Sequence, residues 1–128
     1  MSLVRPRVLL VEDDRYLRRA CMASLQRRGF DVLVADNGLD GLAMAKAERP
    51  ALVLLDMLMP KMTGLEMLRA MRADAATRDV PVLILSNSSR ESDLDEVNGL
   101  GIVGYLVKAN LSLRELGDRV ATLLGGNG

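Results

Sequence analysis

Glu12, Asp13, Asp56, Ser86 and Lys108 are the side chains in this sequence best suited to a phosphate group or a hard cation, and each stands at or just past the end of an apolar run. Glu12 and Asp13 follow Val8-Leu9-Leu10-Val11, and Asp56 closes Ala51-Leu52-Val53-Leu54-Leu55. Ser86 follows Pro81-Val82-Leu83-Ile84-Leu85, and Lys108 follows the run from Ile102 to Val107. Carboxylates crowded together repel one another, and one stays protonated unless a cation intervenes. With oxygen donors only and no histidine in the chain, the hard ion Mg²⁺ fits best, keeping some waters and taking further oxygens from a phosphate. Lys108 adds a point charge for a phosphoryl oxygen, and the Ser86 hydroxyl is a short donor to the same group. The chemistry implied is transfer of a phosphoryl group to a carboxylate, with metal and lysine neutralising charge. Taken singly, Lys108 is equally an ion-pair partner of Asp13 or Asp56, and Ser86 a strand-end cap. All of these groups at strand ends together favour a site.

Such convergence needs a scaffold. The Asp56 run, bounded by Pro50 and Pro60, reads as a strand buried on both faces, hence a parallel sheet covered by helices. Arg7 to Val11 is an earlier strand, and Leu17, Ala20, Cys21 and Leu25 then fall at helical spacing up to the stop at Gly29. Phe30 to Ala35 reads as the second strand, with a turn at Asp36-Asn37-Gly38. Leu39, Leu42, Ala43 and Ala47 form the apolar face of a helix that ends before Pro50. Thr63 and Glu66 make a capping box for a helix carrying Leu65, Leu68 and Met71. Pro81 to Leu85 is the fourth strand, and a less periodic helix follows from Ser92 to Asn98, anchored by Leu94 and Val97. Ile102 to Val107 is the fifth. Ser112 and Glu115 form a second capping box, opening a helix through Leu113, Leu116, Val120 and Leu123. Five strands alternating with five helices specify a doubly wound, five-stranded parallel α/β sheet, with 2-1-3-4-5 the common order. Strands one and three are then neighbours, so Glu12, Asp13 and Asp56 converge, with Ser86 and Lys108 approaching from one side.

A chain of 128 residues, 49% hydrophobic, makes one domain with a sizeable core. We expect an extension over 1–6, the folded domain over 7–124 and a flexible tail over 125–128. A formal charge of zero offers no field for nucleic acid or an anionic membrane, and only three aromatics leave little to stack on bases. The lack of histidine excludes Ser-His-Asp and Cys-His catalysis. With no signal-like or membrane-spanning stretch, a soluble cytoplasmic protein is expected. Cys21, the single cysteine, reads as core. Gly99-Leu100-Gly101-Ile102-Val103-Gly104 matches a dinucleotide-binding glycine pattern, but it follows a helix and precedes a strand, so it reads as a helix stop and turn. Asn87-Ser88-Ser89 and Asn110-Leu111-Ser112 are glycosylation sequons without meaning in a cytoplasmic chain.

The stretches Val8-Leu9-Leu10-Val11-Glu12-Asp13-Asp14, Asp56-Met57-Leu58-Met59-Pro60-Lys61-Met62-Thr63-Gly64, Ser86 and Tyr105-Leu106-Val107-Lys108 resemble the receiver domain of two-component response regulators. The resemblance covers nearly the whole chain and implies the flavodoxin-like, CheY-like form of the fold. It makes Asp56 the phosphoacceptor, served by a sensor histidine kinase or phosphotransfer protein. Glu12, Asp13, Asp56 and the main-chain carbonyl of Leu58 would hold Mg²⁺. Lys108 and Ser86 would bind the phosphoryl group, beside Asn87, which replaces a usual small residue and narrows access. Ser86 and Tyr105 would be the switch that reshapes the surface of helix four, strand five and helix five for a downstream effector, or for a homodimer. Ala109 departs from the family's cis proline after Lys108. A cis bond before alanine costs roughly 3 kcal/mol, so a trans peptide is expected. Leu58 cannot orient an attacking water, and slow self-dephosphorylation follows. Two rivals remain: a non-phosphorylated pseudo-receiver, which Ala109 keeps open, and a Mg²⁺-dependent aspartyl phosphatase, which wants an acid where Leu58 stands. A flavin binder of similar strand order lacks the aromatics to stack its ring.

Overall fold

The computed structural model describes residues 5–87 and 91–125, without the side chains of 91–94. Most of the expected extension, and residues 126–128 of the tail, lie outside that range, as do Ser88, Ser89 and the side chain of Leu94. The strands are β1 (Arg7–Val11), β2 (Asp31–Ala35), β3 (Leu52–Asp56), β4 (Val82–Ser86) and β5 (Gly104–Val107). The helices are α1 (Arg15–Arg27), α2 (Gly38–Glu48), α3 (Gly64–Ala73), α4 (Glu91–Asn98) and α5 (Leu113–Leu123). The sheet is wholly parallel in the order β2-β1-β3-β4-β5, as the alternation of elements implies. β3 and β4 are buried at every position, which their unbroken apolar runs require of central strands covered on both faces.

Alternate side chains of the strands feed two cores. Leu9, Val11, Val53, Leu55, Val82 and Ile84 pack with Met67, Leu68 and Met71 of α3 and Val97 of α4. Val8, Leu10, Leu52, Leu54, Leu83 and Leu85 pack on the other face with Cys21 and Leu25 of α1 and Leu116 and Val120 of α5. Burying a leucine or valine of this kind contributes about 1.5–3 kcal/mol, so the paired cores hold the strand ends in register. Val11 lies opposite Leu55, and Asp56 opposite Leu85.

Two local expectations change. In α2 the buried residues are Gly38, Gly41, Leu42 and Ala45, while Leu39, Ala43 and Ala47 face solvent. The reason is close approach: a Cβ on Gly41 would stand 2.9 Å from both Val11 methyls. Small residues beside Leu42 pack against the sheet, so of the four residues expected to face it only Leu42 does. The fifth strand is shorter than expected, because Gly101 turns with a φ of +75° and pairing begins at Gly104. The Thr63 capping box is complete, with Thr63 Oγ1 accepting from the Glu66 N–H and Glu66 Oε1 accepting from the Thr63 N–H. At Ser112 only the forward half is present, its Oγ accepting from the Glu115 N–H.

Candidate functional site

Each polar residue at the carboxyl edge of the sheet is placed by the apolar strand before it. Glu12 follows β1 and is fully buried, its N–H donating to the Ala35 carbonyl of β2 at 3.0 Å. Asp13 is exposed beside it. Asp56, the last residue of β3, is 3% exposed. One carboxylate oxygen from each of Glu12, Asp13 and Asp56 lies within 4.8 Å of the others. Ser86 ends β4 and is buried. Lys108 opens a 3-10 turn over Lys108–Asn110, just past β5. The Lys108–Ala109 peptide is trans, as expected, and the lysine still reaches the acids.

Lys108 Nζ stands 2.5 Å from Glu12 Oε1 and 3.0 Å from Asp56 Oδ1. Of the alternatives left open by the sequence, the pair with Asp56 is formed, and Glu12 takes the place of Asp13. Oε1 of Glu12 is buried, and the Lys108 ammonium is the group that faces it. Burial first, and then the charge of Glu12, push Asp56 from 3.8 up to about 7, against the opposing pull of Lys108. Burial works against the lysine's charge as well, yet hydrogen bonds and charges from Glu12 and Asp56 raise Lys108 above its ordinary value. The lysine cannot satisfy the acids alone. Three carboxylates gathered around one ammonium, all offering oxygen, fit a hard divalent cation.

The cleft over these groups is about 480 Å³ and is lined by Asp13, Asp14, Leu17, Leu58, Asn87 and Ala109 besides the buried acids and lysine. Leu58 projects outward, 70% exposed, while its N–H donates to Asp56 Oδ1 at 3.4 Å. Asn87 lies exposed on the rim, and Tyr105 is half-buried against the core on the α4 side.

Three contributors went unread in the sequence. Asp14 is not a fourth acid of the cluster: its Oδ1 caps α1, accepting from the N–H groups of Tyr16 and Leu17. An aspartate directly before a helical pattern was the available signal. Gly64 lets α3 begin against the site, since a Cβ there would lie 2.2 Å from the Asp56 carbonyl oxygen. Arg18 reaches back from α1, donating from Nη1 to the carbonyls of Glu12 at 2.9 Å and Asp13 at 3.4 Å. No local pattern announces either contact.

A doubly wound parallel sheet whose switch point gathers acids, a lysine and a serine is the arrangement in which such folds place their functional crevice. The chain belongs to the response regulator receiver domain family, whose model matches residues 8–121. It is 41% identical over 124 residues to the transcriptional activator protein PfeR of Pseudomonas aeruginosa, covering 97% of this chain and 39% of PfeR. It is 36% identical over 102 residues to protein PilH of the same organism, covering 80% of this chain and 84% of PilH. Among solved structures, chemotaxis protein CheY4 of Vibrio cholerae superposes with a TM-score of 0.86 at 28% identity, covering 94% of this chain and 99% of CheY4. The phosphorylated cyanobacterial phytochrome response regulator RcpA gives 0.78 at 28% identity, covering 94% and 91%. Receiver domains are signalling modules of two-component systems that generally bind Mg²⁺ at an acidic pocket and work with histidine kinases and downstream effectors. No helix among the described residues is long and apolar enough to cross a membrane.

Proposed function

We propose that this domain accepts a phosphoryl group on Asp56 from the phosphohistidine of a sensor histidine kinase or phosphotransfer protein in the cytoplasm. The observation that carries the reading is Asp56 itself: a buried carboxylate at the floor of a cleft, with Lys108 Nζ at 3.0 Å and two further acids within reach of one cation. The phosphorylated state of RcpA, a structure of the same fold, supports it. A carboxylate oxygen of Asp56 attacks phosphorus, the N–P bond breaks, and its electron pair stays on the departing imidazole. Mg²⁺, held by Glu12, Asp13, Asp56 and the Leu58 carbonyl, would supply positive charge to the transferring oxygens. Lys108 exchanges its contact with Asp56 for a phosphoryl oxygen, which leaves its charge matched throughout. Asn87 on the rim and Ser86 at the end of β4 border the same oxygens.

The phosphorylated aspartate adds a dianion next to β4, which ends in Ser86, with Tyr105 on the neighbouring β5. Differential contact to it biases the α4–β5–α5 surface between two arrangements, and that surface then meets an effector or a second copy. Leu58 offers no acid or amide to orient water, so the phosphorylated state should outlast minutes. Incubation with Mg²⁺ and acetyl phosphate, followed by intact mass, tests the reading beside Asp56→Asn. One added phosphoryl group, absent in the variant, is expected. No gain in the folded wild-type protein would replace the reading with a non-phosphorylated interaction module.

A further inference from the structure

We propose that Arg18 is a positioning residue for the cation site, one that sets Mg²⁺ affinity without touching the metal; the inference rests on the Mg²⁺-dependent reading above. The argument follows a chain of contacts. Arg18 Nη1 donates to the carbonyl of Glu12 at 2.9 Å and, more weakly, to that of Asp13 at 3.4 Å. The carbonyl of Asp13 belongs to the same peptide group as the N–H of Asp14, and that N–H donates to Glu12 Oε2 at 3.0 Å. Arg18 therefore holds one end of a peptide whose other end holds the carboxylate. With Oε2 so engaged, the remaining oxygen of Glu12, Oε1, stands toward the acid cluster, 2.5 Å from Lys108 Nζ. The same guanidinium ties the carbonyls of Glu12 and Asp13 to α1.

Without this contact the peptide between Asp13 and Asp14 can rotate, and the Glu12 carboxylate loses the N–H that orients it. Outer residues that orient metal ligands typically change metal affinity about 10–100-fold when replaced. Charge alone predicts the opposite sign, because removing a cation near three acids should tighten Mg²⁺ binding. The two effects therefore separate cleanly. Asp36 and Asp40, which line the neighbouring cleft with Arg18, are unaltered in either variant proposed below.

The experiment is titration of wild type, Arg18→Lys and Arg18→Met with Mg²⁺ by calorimetry, alongside amide hydrogen exchange at Asp14 by NMR. Arg18→Lys keeps the charge but loses the longer, planar side chain that sets Nη1 between the two carbonyls, while Arg18→Met loses both. Positioning predicts that both variants bind Mg²⁺ about tenfold more weakly or worse, and that the Asp14 amide exchanges faster in metal-free protein. Unchanged affinity in Arg18→Lys, or tighter binding in Arg18→Met, overturns the proposal. A variant that melts lower but binds Mg²⁺ like wild type also overturns it, assigning Arg18 a purely structural part. Wild type that binds no Mg²⁺ would overturn the underlying reading, and the proposal with it, a result distinct from wild type that binds and variants that match it.

Discussion

Asp56 sits in surroundings that oppose its charge, so Asp56→Asn should stabilise the metal-free protein by an amount that depends on pH. Burial and the charge of Glu12 raise this carboxyl from 3.8 to about 7, even with Lys108 at 3.0 Å. Between those two values the folded protein holds a proton that the unfolded chain has released, and stability must fall as pH rises. The contribution is whole below about pH 4, declines through the window and is lost above about pH 7. The full difference corresponds to ~4 kcal/mol, and relaxation with water entry around a buried charge reduces it, so we expect a gain of roughly 2–4 kcal/mol at about pH 8. Near pH 5 the gain should be smaller by at least half, because both forms are then uncharged in the fold. Urea melts followed by far-UV circular dichroism in EDTA measure this directly, since neither variant needs a fluorescent residue. Adding Mg²⁺ should then narrow the gap from the wild-type side, as a ligand of the folded state alone raises its stability by mass action. A gap that stays constant from about pH 5 to pH 8, or an asparagine variant that is the less stable at the upper end, would refute the account of Asp56 as a charge held against its environment.

Other consequences are simpler to state. Gly64→Ala should cost roughly 1–3 kcal/mol in the same melts and depress phosphorylation, because the new Cβ meets the Asp56 carbonyl oxygen at 2.2 Å and the Met57 Cα at 2.8 Å. Arg72→Gln should destabilise by about 2–3 kcal/mol, since its guanidinium donates to the carbonyls of Leu100, Arg78 and Val80 and so ties the loops before β4 and β5 together. Arg69→Gln, which breaks an exposed pair with Glu96, should change stability by under about 1 kcal/mol. Cys21 is fully buried and its thiol is pushed up to about 11, chiefly by burial, so its alkylation should track urea unfolding; fast labelling of native protein would contradict its place in the core.

The parts of this molecule legible in sequence are those where one strong effect acts locally. Val8–Val11, Leu52–Leu55 and Val82–Leu85 are long enough, branched enough and sharply enough ended to fix strands and hence the polar residues after them. The gathering of Glu12, Asp13 and Asp56 followed from strand order, which chirality and loop length restrict. What escaped depended on contact across the fold. Gly41 and Ala45 are weakly hydrophobic, so nothing in their character said that they, rather than Leu39, face the sheet; the width of the gap between α2 and Val11 decides it. No sequence signal singles out Arg18 or Arg72, and only the folded backbone shows the carbonyls that their guanidinium groups collect. Long polar side chains act at a distance from their own position, and periodicity carries no information about where they end.

The same imbalance at Asp56 ties the cation to the proton. A metal ligand must be deprotonated, so Mg²⁺ entering a site whose carboxyl titrates at about 7 has to displace whatever proton is there. At about pH 6 nearly one proton per bound ion should leave, at about pH 7 about half, and above about pH 8.5 almost none. Affinity should then rise roughly tenfold per pH unit below the midpoint and level off above it. Calorimetric titration with Mg²⁺ in buffers of different ionisation enthalpy counts the protons, and Asp56→Asn supplies the control, because an amide has none to release. Lys108 could in principle mimic the signal by losing its own proton to the solvent, but its affinity for protons is raised, and in the asparagine variant it keeps its contact with Glu12. Proton release that is equal in wild type and variant would therefore move the titration elsewhere and remove Asp56 as the group that Mg²⁺ makes ready. Release confined to wild type would mean that the nucleophile is unmasked by the cation that serves it, so that an aspartate without metal at neutral pH is half silenced by its own burial.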